Sequence, residues 1–300
     1  TALIGNFWVD ITRTTIYILL PLSIFFAVIL VSQGVIQNFK SYEEVQTPEG
    51  SCQIIPMGPA ASQIAIKQLG SNGGGFFNTN SSHPFENPTP VSNFRELLAI
   101  LLIPASLTYS YGKMTGSVKH GWVIFIVMFI LLVAGLFISL YSEYSPNPVF
   151  GKMPLLEGKE TRIGITGSIL WSVVTTAVSN GSVNAMHDSL TPVSGLLPMI
   201  NLMTGAVIFG GVGTGLYGMV IFIVLTVFIS GLMVGRTPEY LSKKIESREV
   251  RMAVLAVLIP NFIILCFSAL AIITDAGLSG IKNPGPHGLS EILFAYSSAA

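Results

Sequence analysis

Five apolar runs, each about as long as a bilayer-spanning helix, constrain this chain more than any other feature of its sequence. An α-helix needs roughly 20 apolar residues to cross the hydrocarbon core of a bilayer. The runs lie at residues 16–36, 94–111, 122–141, 216–234 and 252–274. Hydrophobic residues make up 51% of the 300-residue chain and charged residues only 10%, which is more apolar surface than a water-soluble fold of this length hides. The sequence therefore predicts an all-α polytopic membrane protein.

The tripeptide Ser-Asn-Gly occurs at residues 71–73 and again at residues 179–181. Each copy follows a stretch that we predict to be a short helix, at residues 59–70 and 161–178. A second shared phrase, Thr-Pro-Val-Ser, follows each copy. Because the match rests on two phrases in the same order, it indicates an internal repeat.

A short polar turn with glycine between apolar helices is typical of a re-entrant pore loop. Glycine allows backbone carbonyls to turn inward in conformations that a side chain disfavours, and a ring of such carbonyls can replace the hydration shell of a small cation. We call residues 71–78 the first Ser-Asn-Gly loop and residues 179–184 the second, and expect Gly73 and Gly181 to have such conformations. The alternative is an exposed turn between two spans. The predicted filter residues are Ser71, Asn72, Gly73, Gly74, Ser179, Asn180, Gly181 and Ser182.

The spans and loops repeat in the order helix, re-entrant loop, helix. The predicted segments are a first unit at residues 1–111, a loop at 112–121, a second unit at 122–235, a loop at 236–251 and the start of a further unit at 252–300. A short helix is expected at residues 289–300. Because the sequence has no initiator Met and no charged leader, we expect it to be the middle of a longer protein.

Basic residues predict the orientation of the spans, because short loops that carry Lys and Arg stay on the cytoplasmic side. If the loops at 112–121 and 236–251 face the cytoplasm, that side holds eight basic and four acidic residues, and the other side holds seven basic and eleven acidic residues. Both Ser-Asn-Gly loops then open toward the outer face. An acidic surplus there concentrates cations near the loops.

Six glycines fall between residues 205 and 218, at the start of the fourth run. A continuous helix from Gly205 to Gly235 would be about 46 Å long, well beyond the roughly 30 Å apolar core. We therefore expect a broken helix, and irregular backbone at membrane depth is tolerated only where protein or a water-filled cavity covers it. The alternative is an extracellular loop that precedes the span. The candidate gate residues are Gly210, Gly211, Gly213 and Gly215.

Catalysis by the chain itself has little support in the sequence. The pair His187-Asp188 could serve an intramembrane enzyme, but no serine or cysteine stands in a nucleophile elbow nearby, so we expect the pair to hydrogen-bond the loop or the pore mouth. No Gly-x-x-x-x-Gly-Lys-Ser/Thr phosphate loop occurs, so ATP hydrolysis by that route and a cofactor are not expected.

Cys52 and Cys266 predict neither a disulfide nor a metal site. A net charge of zero argues against a nucleic-acid partner.

Four phrases, at residues 71–78, 179–188, 210–218 and 235–241, together resemble the KdpA family, the potassium-binding subunits of bacterial Kdp potassium-transporting ATPases. The resemblance runs over the whole chain. It implies four helix–loop–helix repeats around a pseudo-fourfold pore, of which this chain holds the second, the third and the start of the fourth. It also implies that the two Ser-Asn-Gly loops line two of the four arcs of a potassium filter.

The resemblance further implies the partners and the location of the protein. A KdpB-like P-type ATPase would hydrolyse ATP, and KdpC-like and KdpF-like subunits would complete the complex in the bacterial cytoplasmic (inner) membrane. Ala206 stands where we expect an acidic residue in some relatives. The alternative function is a passive or ion-coupled potassium channel or transporter of the same superfamily, without an ATPase partner.

Overall fold

The computed structural model describes residues 5–146, 151, 155–283 and 285–299. The ends of the predicted units, at residues 1–4 and at Ala300, lie outside the described residues. Within these described residues, five helices are long and apolar enough to cross a bilayer. We number these spans in chain order as first (Phe7–Ser32), second (Pro90–Met114), third (Val118–Tyr144), fourth (Thr214–Val234) and fifth (Ser247–Ile273). The chain is therefore a multi-pass membrane protein, and the prediction of an all-α polytopic fold is confirmed.

Every span begins earlier than its apolar run predicted. At the first three spans a polar side chain caps the first turn, whereas the fourth begins after Gly213 without a side-chain cap. The side chain of Asn6 accepts hydrogen bonds from the backbone nitrogens at the start of the first span. Thr89 forms a capping box with Ser92 at the start of the second span. The predicted starts at residues 16 and 94 are therefore wrong by several residues. The first span also ends at Ser32 rather than at residue 36, before a turn at Gly34 with a φ of +98°.

Shorter helices lie between the spans and after the fifth span. The first short helix is Ala60–Leu69 and the second is Gly164–Val178. A helix at Pro286–Ala299 covers most of the stretch expected at residues 289–300. Two further helices, Pro192–Met203 and Asp275–Ser279, were not predicted. The first has 12 residues with Pro198 in its interior, and the second has only 5 residues.

Two small antiparallel hairpins lie outside the spans, and neither was predicted. Strand β1 (Glu43–Gln46) pairs with β2 (Cys52–Ile55), and β3 (Glu239–Tyr240) pairs with β4 (Lys243–Lys244). The hydroxyl of Tyr240 lies 2.9 Å from the hydroxyl of Tyr111 and 2.7 Å from Nε2 of His120. The basic loops at 112–121 and 236–251 therefore meet at one end of the molecule.

The first and second short helices form the interior, and the spans surround them. Ile64 on the first short helix and Trp171 on the second are both 0% exposed. Each is the centre of one of two apolar clusters, which the first, second and third spans help to close. In contrast, large apolar residues such as Phe137 and Phe262 are exposed on the third and fifth spans. Lipid or other protein has to cover these outer surfaces.

The segment before the fourth span is broken. Helix Pro192–Met203 ends at Thr204, a tight turn follows at Gly211–Gly213, and the span begins at Thr214. Ala206 has a φ of +51° and Phe209 a φ of +54°, values that an α-helix does not contain.

Candidate ion-binding site

The two Ser-Asn-Gly loops lie in direct backbone contact. The amide nitrogen of Gly181 donates a hydrogen bond of 3.0 Å to the carbonyl oxygen of Asn72. Both loops leave their short helix in the same way, through a serine with a left-handed backbone: φ is +56° at Ser71 and +62° at Ser179. Such a conformation is uncommon for serine. The two copies of the tripeptide therefore begin with the same backbone turn.

Gly73 needs to be glycine for two reasons. Its φ is +76°, which a side chain disfavours, and a β-carbon there would lie 2.2 Å from the backbone nitrogens of Gly181 and Ser182. Gly74 has a φ of +103° with open space around it. Gly181 is not among the described residues with a left-handed backbone, so for Gly181 the expected conformation is wrong. A β-carbon on Gly181 would lie 3.2 Å from the carbonyl oxygen of Asn72. The close approach of the first loop therefore disfavours a side chain at Gly181.

Two carbonyls of the second loop already accept hydrogen bonds from the second short helix. Oγ1 of Thr175 lies 2.6 Å from the carbonyl oxygen of Asn180 and 2.7 Å from that of Ser182. Nε1 of Trp171 also donates to Ser182 at 2.8 Å. These two carbonyl groups are therefore directed toward the helix that precedes the loop.

A buried polar network connects the first short helix to the second loop. Nε2 of Gln68 lies 2.9 Å from Oγ of Ser182 and 2.7 Å from Oε2 of Glu96 in the second span. Oγ of Ser81 lies 3.0 Å from Oγ of Ser182 and 3.1 Å from the same Glu96 oxygen. All four residues are at most 1% exposed. The two copies of the repeat are therefore joined by side chains as well as by backbone.

An ion pair lies next to this network. Lys67 on the first short helix pairs with Glu86, and both side chains are at most 3% exposed. Oε1 of Glu86 also accepts a hydrogen bond of 2.7 Å from the backbone nitrogen of Phe77, which holds the end of the first loop. A buried charge is tolerated when it is paired and hydrogen-bonded in this way.

The second copy also holds the segment that follows the first loop. Arg162, just before the second short helix, donates to the carbonyl oxygen of Ser82 at 2.6 Å and to that of Asn87. Sequence reasoning did not identify Arg162, Lys67, Gln68 or Glu96. One signal was available, because an ionisable residue such as Glu96 within an apolar span is unusual and often functional.

The broken segment before the fourth span packs against the first loop and against the end of the second short helix. A β-carbon on Gly211 would lie 2.8 Å from Cβ of Ser71 and 3.1 Å from the carbonyl oxygen of Val178. Gly210 and Gly215 face each other so closely that a β-carbon on Gly215 would lie 2.0 Å from the nitrogen of Gly210. Gly213 has a φ of +98°. The four candidate gate glycines therefore form one tight turn beside the first loop.

His187 and Asp188 do not act on each other. Asp188 accepts hydrogen bonds from Asn283 at 2.8 Å and from His287 at 2.5 Å, and the bond with His287 lowers the pKa of Asp188. The ring of His187 packs edge-on against Phe294 at 5.9 Å, and burial lowers the pKa of His187 to about 4. The pair therefore contacts helix Pro286–Ala299 and the residue Asn283 before it, and does not have the arrangement of an acid–base dyad.

The fold and these loops define a polytopic α-helical membrane protein in which two glycine-containing loops meet through their backbones. A family model described as "KdpA: Potassium-transporting ATPase A subunit" matches residues 1–300. The chain belongs to this family.

Relatives with curated names agree with this assignment. Proteins named "Potassium-transporting ATPase potassium-binding subunit" from Leptospira interrogans serovar copenhageni and Sorangium cellulosum are each 54% identical over 99% of this chain, covering 53% and 55% of their own lengths. A protein of the same name from Pseudomonas aeruginosa is 52% identical over 100% of this chain and 54% of its own length. The chain therefore spans about half the length of the curated relatives that it matches.

Proposed function

We propose that this chain provides part of the potassium-binding and translocating subunit of an ATP-driven potassium uptake complex. The observation that carries the proposal is the backbone contact between the two Ser-Asn-Gly loops, with Gly181 donating to Asn72 at 3.0 Å. Contact at this distance allows carbonyls from both loops to face one ion. The names of the relatives support potassium as that ion and an ATPase as the complex.

Selection would rest on backbone carbonyls of residues 71–74 and 179–182. Such carbonyls replace the water that potassium loses on entering a filter. The carbonyls of Asn180 and Ser182 already accept hydrogen bonds of 2.6 to 2.8 Å from Thr175 and Trp171, whereas that of Gly181 accepts only a longer one of 3.4 Å from Nδ2 of Asn80. We therefore assign the ion ligands of the second loop chiefly to the carbonyls of Ser179 and Gly181. The corresponding loops of the other repeats would supply the remaining carbonyl ligands around the ion.

The repeat organisation belongs to the same proposal. Residues 1–111 and 122–235 would be the second and third helix–loop–helix repeats around a pseudo-fourfold pore, and residues 252–300 the start of the fourth. Their similar helix–serine exits, at Ser71 and Ser179, support equivalent positions for the two loops. The turn at Gly210–Gly215 lies against Ser71, which supports its role as a gate beside the filter.

The energy source and the location are also proposals. A KdpB-like P-type ATPase would hydrolyse ATP, KdpC-like and KdpF-like subunits would complete the complex, and the chain would use no cofactor of its own. The complex would lie in the bacterial inner membrane with the loops at 112–121 and 236–251 in the cytoplasm. The meeting of these two basic loops through Tyr240 and His120 supports a shared side.

Purification of the full-length protein from its own membrane tests the ATPase assignment. We expect it to co-purify with a subunit that forms an acid-stable phosphoaspartate, and potassium to stimulate ATP hydrolysis. The matched comparison is sodium at equal ionic strength. A protein that conducts potassium while no phosphorylated subunit accompanies it would instead be a channel or an ion-coupled transporter.

A further inference from the structure

Glu96 is a fully buried carboxylate in the second span, 1% exposed. Its Oε2 atom lies 2.7 Å from Nε2 of Gln68 and 3.1 Å from Oγ of Ser81. These same two groups lie 2.9 Å and 3.0 Å from Oγ of Ser182. One carboxylate oxygen therefore contacts both of the side chains that lie against the hydroxyl of Ser182.

Ser182 is the residue at which the second Ser-Asn-Gly loop is held from several directions. Its backbone nitrogen donates to Oδ1 of Asn180 at 2.7 Å, and its carbonyl oxygen accepts from Trp171 at 2.8 Å. The hydroxyl of Ser182 also hydrogen-bonds to Gln68 and Ser81. Without an acceptor at the position of Glu96, buried donors on Gln68 and Ser81 would lose their partner, which is costly and favours rearrangement.

We propose that Glu96 is a positioning residue for the second Ser-Asn-Gly loop. It belongs to the first copy of the repeat but fixes the filter arc of the second copy, through Gln68 and Ser81 to Ser182. The consequence for ion selectivity rests on the proposed function, since the carbonyls of Ser179 and Gly181 are held by the same loop. The effect on loop geometry is independent of it.

A through-space charge effect is the competing account of Glu96. The nearby Lys67 pairs with Glu86 and also lies 3.3 Å from Oγ of Ser81, so a positive charge already adjoins the network. Two substitutions distinguish the effect of the length of the Glu96 side chain from the effect of its charge. Glu96→Gln keeps the length of the side chain and an acceptor oxygen but removes the charge. Glu96→Asp keeps the charge but withdraws the acceptor by one methylene group.

The test uses the full-length protein in its assembled complex, with two readouts. Hydrogen–deuterium exchange over residues 179–184 reports the loop, and competition of sodium against potassium reports selectivity. We expect Glu96→Asp to speed exchange about tenfold and to weaken the preference for potassium about tenfold, the range expected for the loss of one buried hydrogen bond. Glu96→Gln should change either quantity by less than about threefold.

Glu143 provides the control. It is also a buried carboxylate in a span, 3% exposed, but its Oε1 accepts from the backbone nitrogen of Thr191 at 2.8 Å and its Oε2 pairs with Lys159 at 3.2 Å, so it does not contact Gln68, Ser81 or Ser182. Glu143→Asp should leave the potassium preference unchanged. If Glu96→Asp prevents assembly, Ser81→Ala removes one of the two links to Ser182 and should give an intermediate increase in exchange.

Three results decide the matter. If Glu96→Gln is more harmful than Glu96→Asp, the role of Glu96 is electrostatic and the proposal is overturned. If exchange of residues 179–184 is unchanged in both Glu96→Asp and Ser81→Ala, the proposal is also overturned, whatever the ion data show. If exchange rises as expected but the parent protein shows no potassium preference, positioning is supported and the proposed function fails.

Discussion

A β-carbon on Gly73 would lie 2.2 Å from the backbone nitrogen of Gly181, so the two Ser-Asn-Gly loops meet at a contact that only glycine allows. The contact lies beside the hydrogen bond from Gly181 to Asn72. Any side chain at Gly73 has to push the second loop away. The shape of the candidate ion site therefore depends on one residue of the first copy and one of the second.

The first prediction concerns this contact. In the full-length protein, Gly73→Ala should lower potassium affinity at least about tenfold and reduce the preference for potassium over sodium, because the methyl group separates the loops. Gly73→Asp should be worse, since it adds a charge as well. Potassium uptake at graded concentrations, with sodium as competitor, measures both quantities.

Gly116 supplies the control for Gly73. Its φ of +77° is almost the same, but a β-carbon there would meet nothing within 4 Å. Gly116→Ala should therefore cost about 1 kcal/mol of stability from backbone strain without altering selectivity. Unchanged affinity and selectivity in Gly73→Ala would contradict the assignment of the loops.

The second prediction concerns the gate. Gly210→Ala places a β-carbon 2.2 Å from the carbonyl oxygen of Ala206 and 2.6 Å from the nitrogen of Gly215, so it should distort the turn without touching either loop. We expect transport to slow about tenfold, a change of about 1.4 kcal/mol in the barrier, while potassium binding changes little. Gly211→Ala presses on Ser71 and should impair both. Rates of uptake and equilibrium binding, measured on the same preparation, separate the two effects.

Gly205→Ala is the comparison for the gate variants. Gly205 has a φ of +74° and nothing within 4 Å of a β-carbon, so only backbone strain is added. Equal losses of binding and transport in Gly210→Ala would indicate a folding defect. Normal transport in Gly210→Ala would favour a plain connecting loop.

The third prediction concerns orientation. In a protein whose Cys52 is replaced by serine, cysteines introduced at Ser117 and Ser247 should react with a membrane-impermeant thiol reagent only from the cytoplasmic side. Native Cys52 is exposed and should react only from outside. Because His120 and Tyr240 join the two basic loops, Ser117 and Ser247 have to give the same answer. Reaction of Ser247→Cys from outside would invert the proposed topology.

The fourth prediction concerns pH. Burial lowers the pKa of His187 from 6.5 to about 4, so the folded state favours the neutral imidazole. The stability that this group contributes is fully present above about pH 6.5 and is lost as the pH falls toward 4. After discounting for the part of the side chain that solvent reaches, we expect about 1 kcal/mol of destabilisation between pH 7.5 and pH 5.

Thermal unfolding of the purified protein at the two pH values measures this effect. His187→Gln should reduce the difference between them by about 1 kcal/mol, and His83, whose pKa burial also lowers, contributes to the remainder. Asp188 acts in a lower window, because its pKa is shifted below the usual 3.8 and the stability it contributes is lost only as the pH falls through that range. An unaltered pH dependence in His187→Gln would show that another group is responsible.

The five spans were predictable because long apolar runs need only local information. The first residues of the spans were harder to predict, because the side chains of Asn6 and Thr89 cap the first two spans outside their apolar runs. Helix Pro192–Met203 was not predicted because Pro198 lies in its interior, and an interior proline argues against a helix. The link from Gln68 to Ser182 joins residues 114 positions apart, and no sequence pattern reports such a contact.

The Ser-Asn-Gly loops could be predicted only in part from the sequence. Their repetition made them recognisable, yet the sequence could not show that Ser71 and Ser179, rather than Gly181, have the left-handed backbone. Backbone conformation there depends on how the loops pack against each other and against Gly211. The sequence therefore identified the residues of the loops but not their backbone conformation.

The most direct measurement is the position of the ion itself. Anomalous scattering from rubidium, a close substitute for potassium, in crystals of the full-length complex would locate the ion. The account predicts a peak between residues 71–74 and 179–182, in contact with the carbonyl oxygens of Ser179 and Gly181, and its loss in Gly73→Ala. A peak elsewhere in the protein, with these carbonyls facing no ion, would contradict the account.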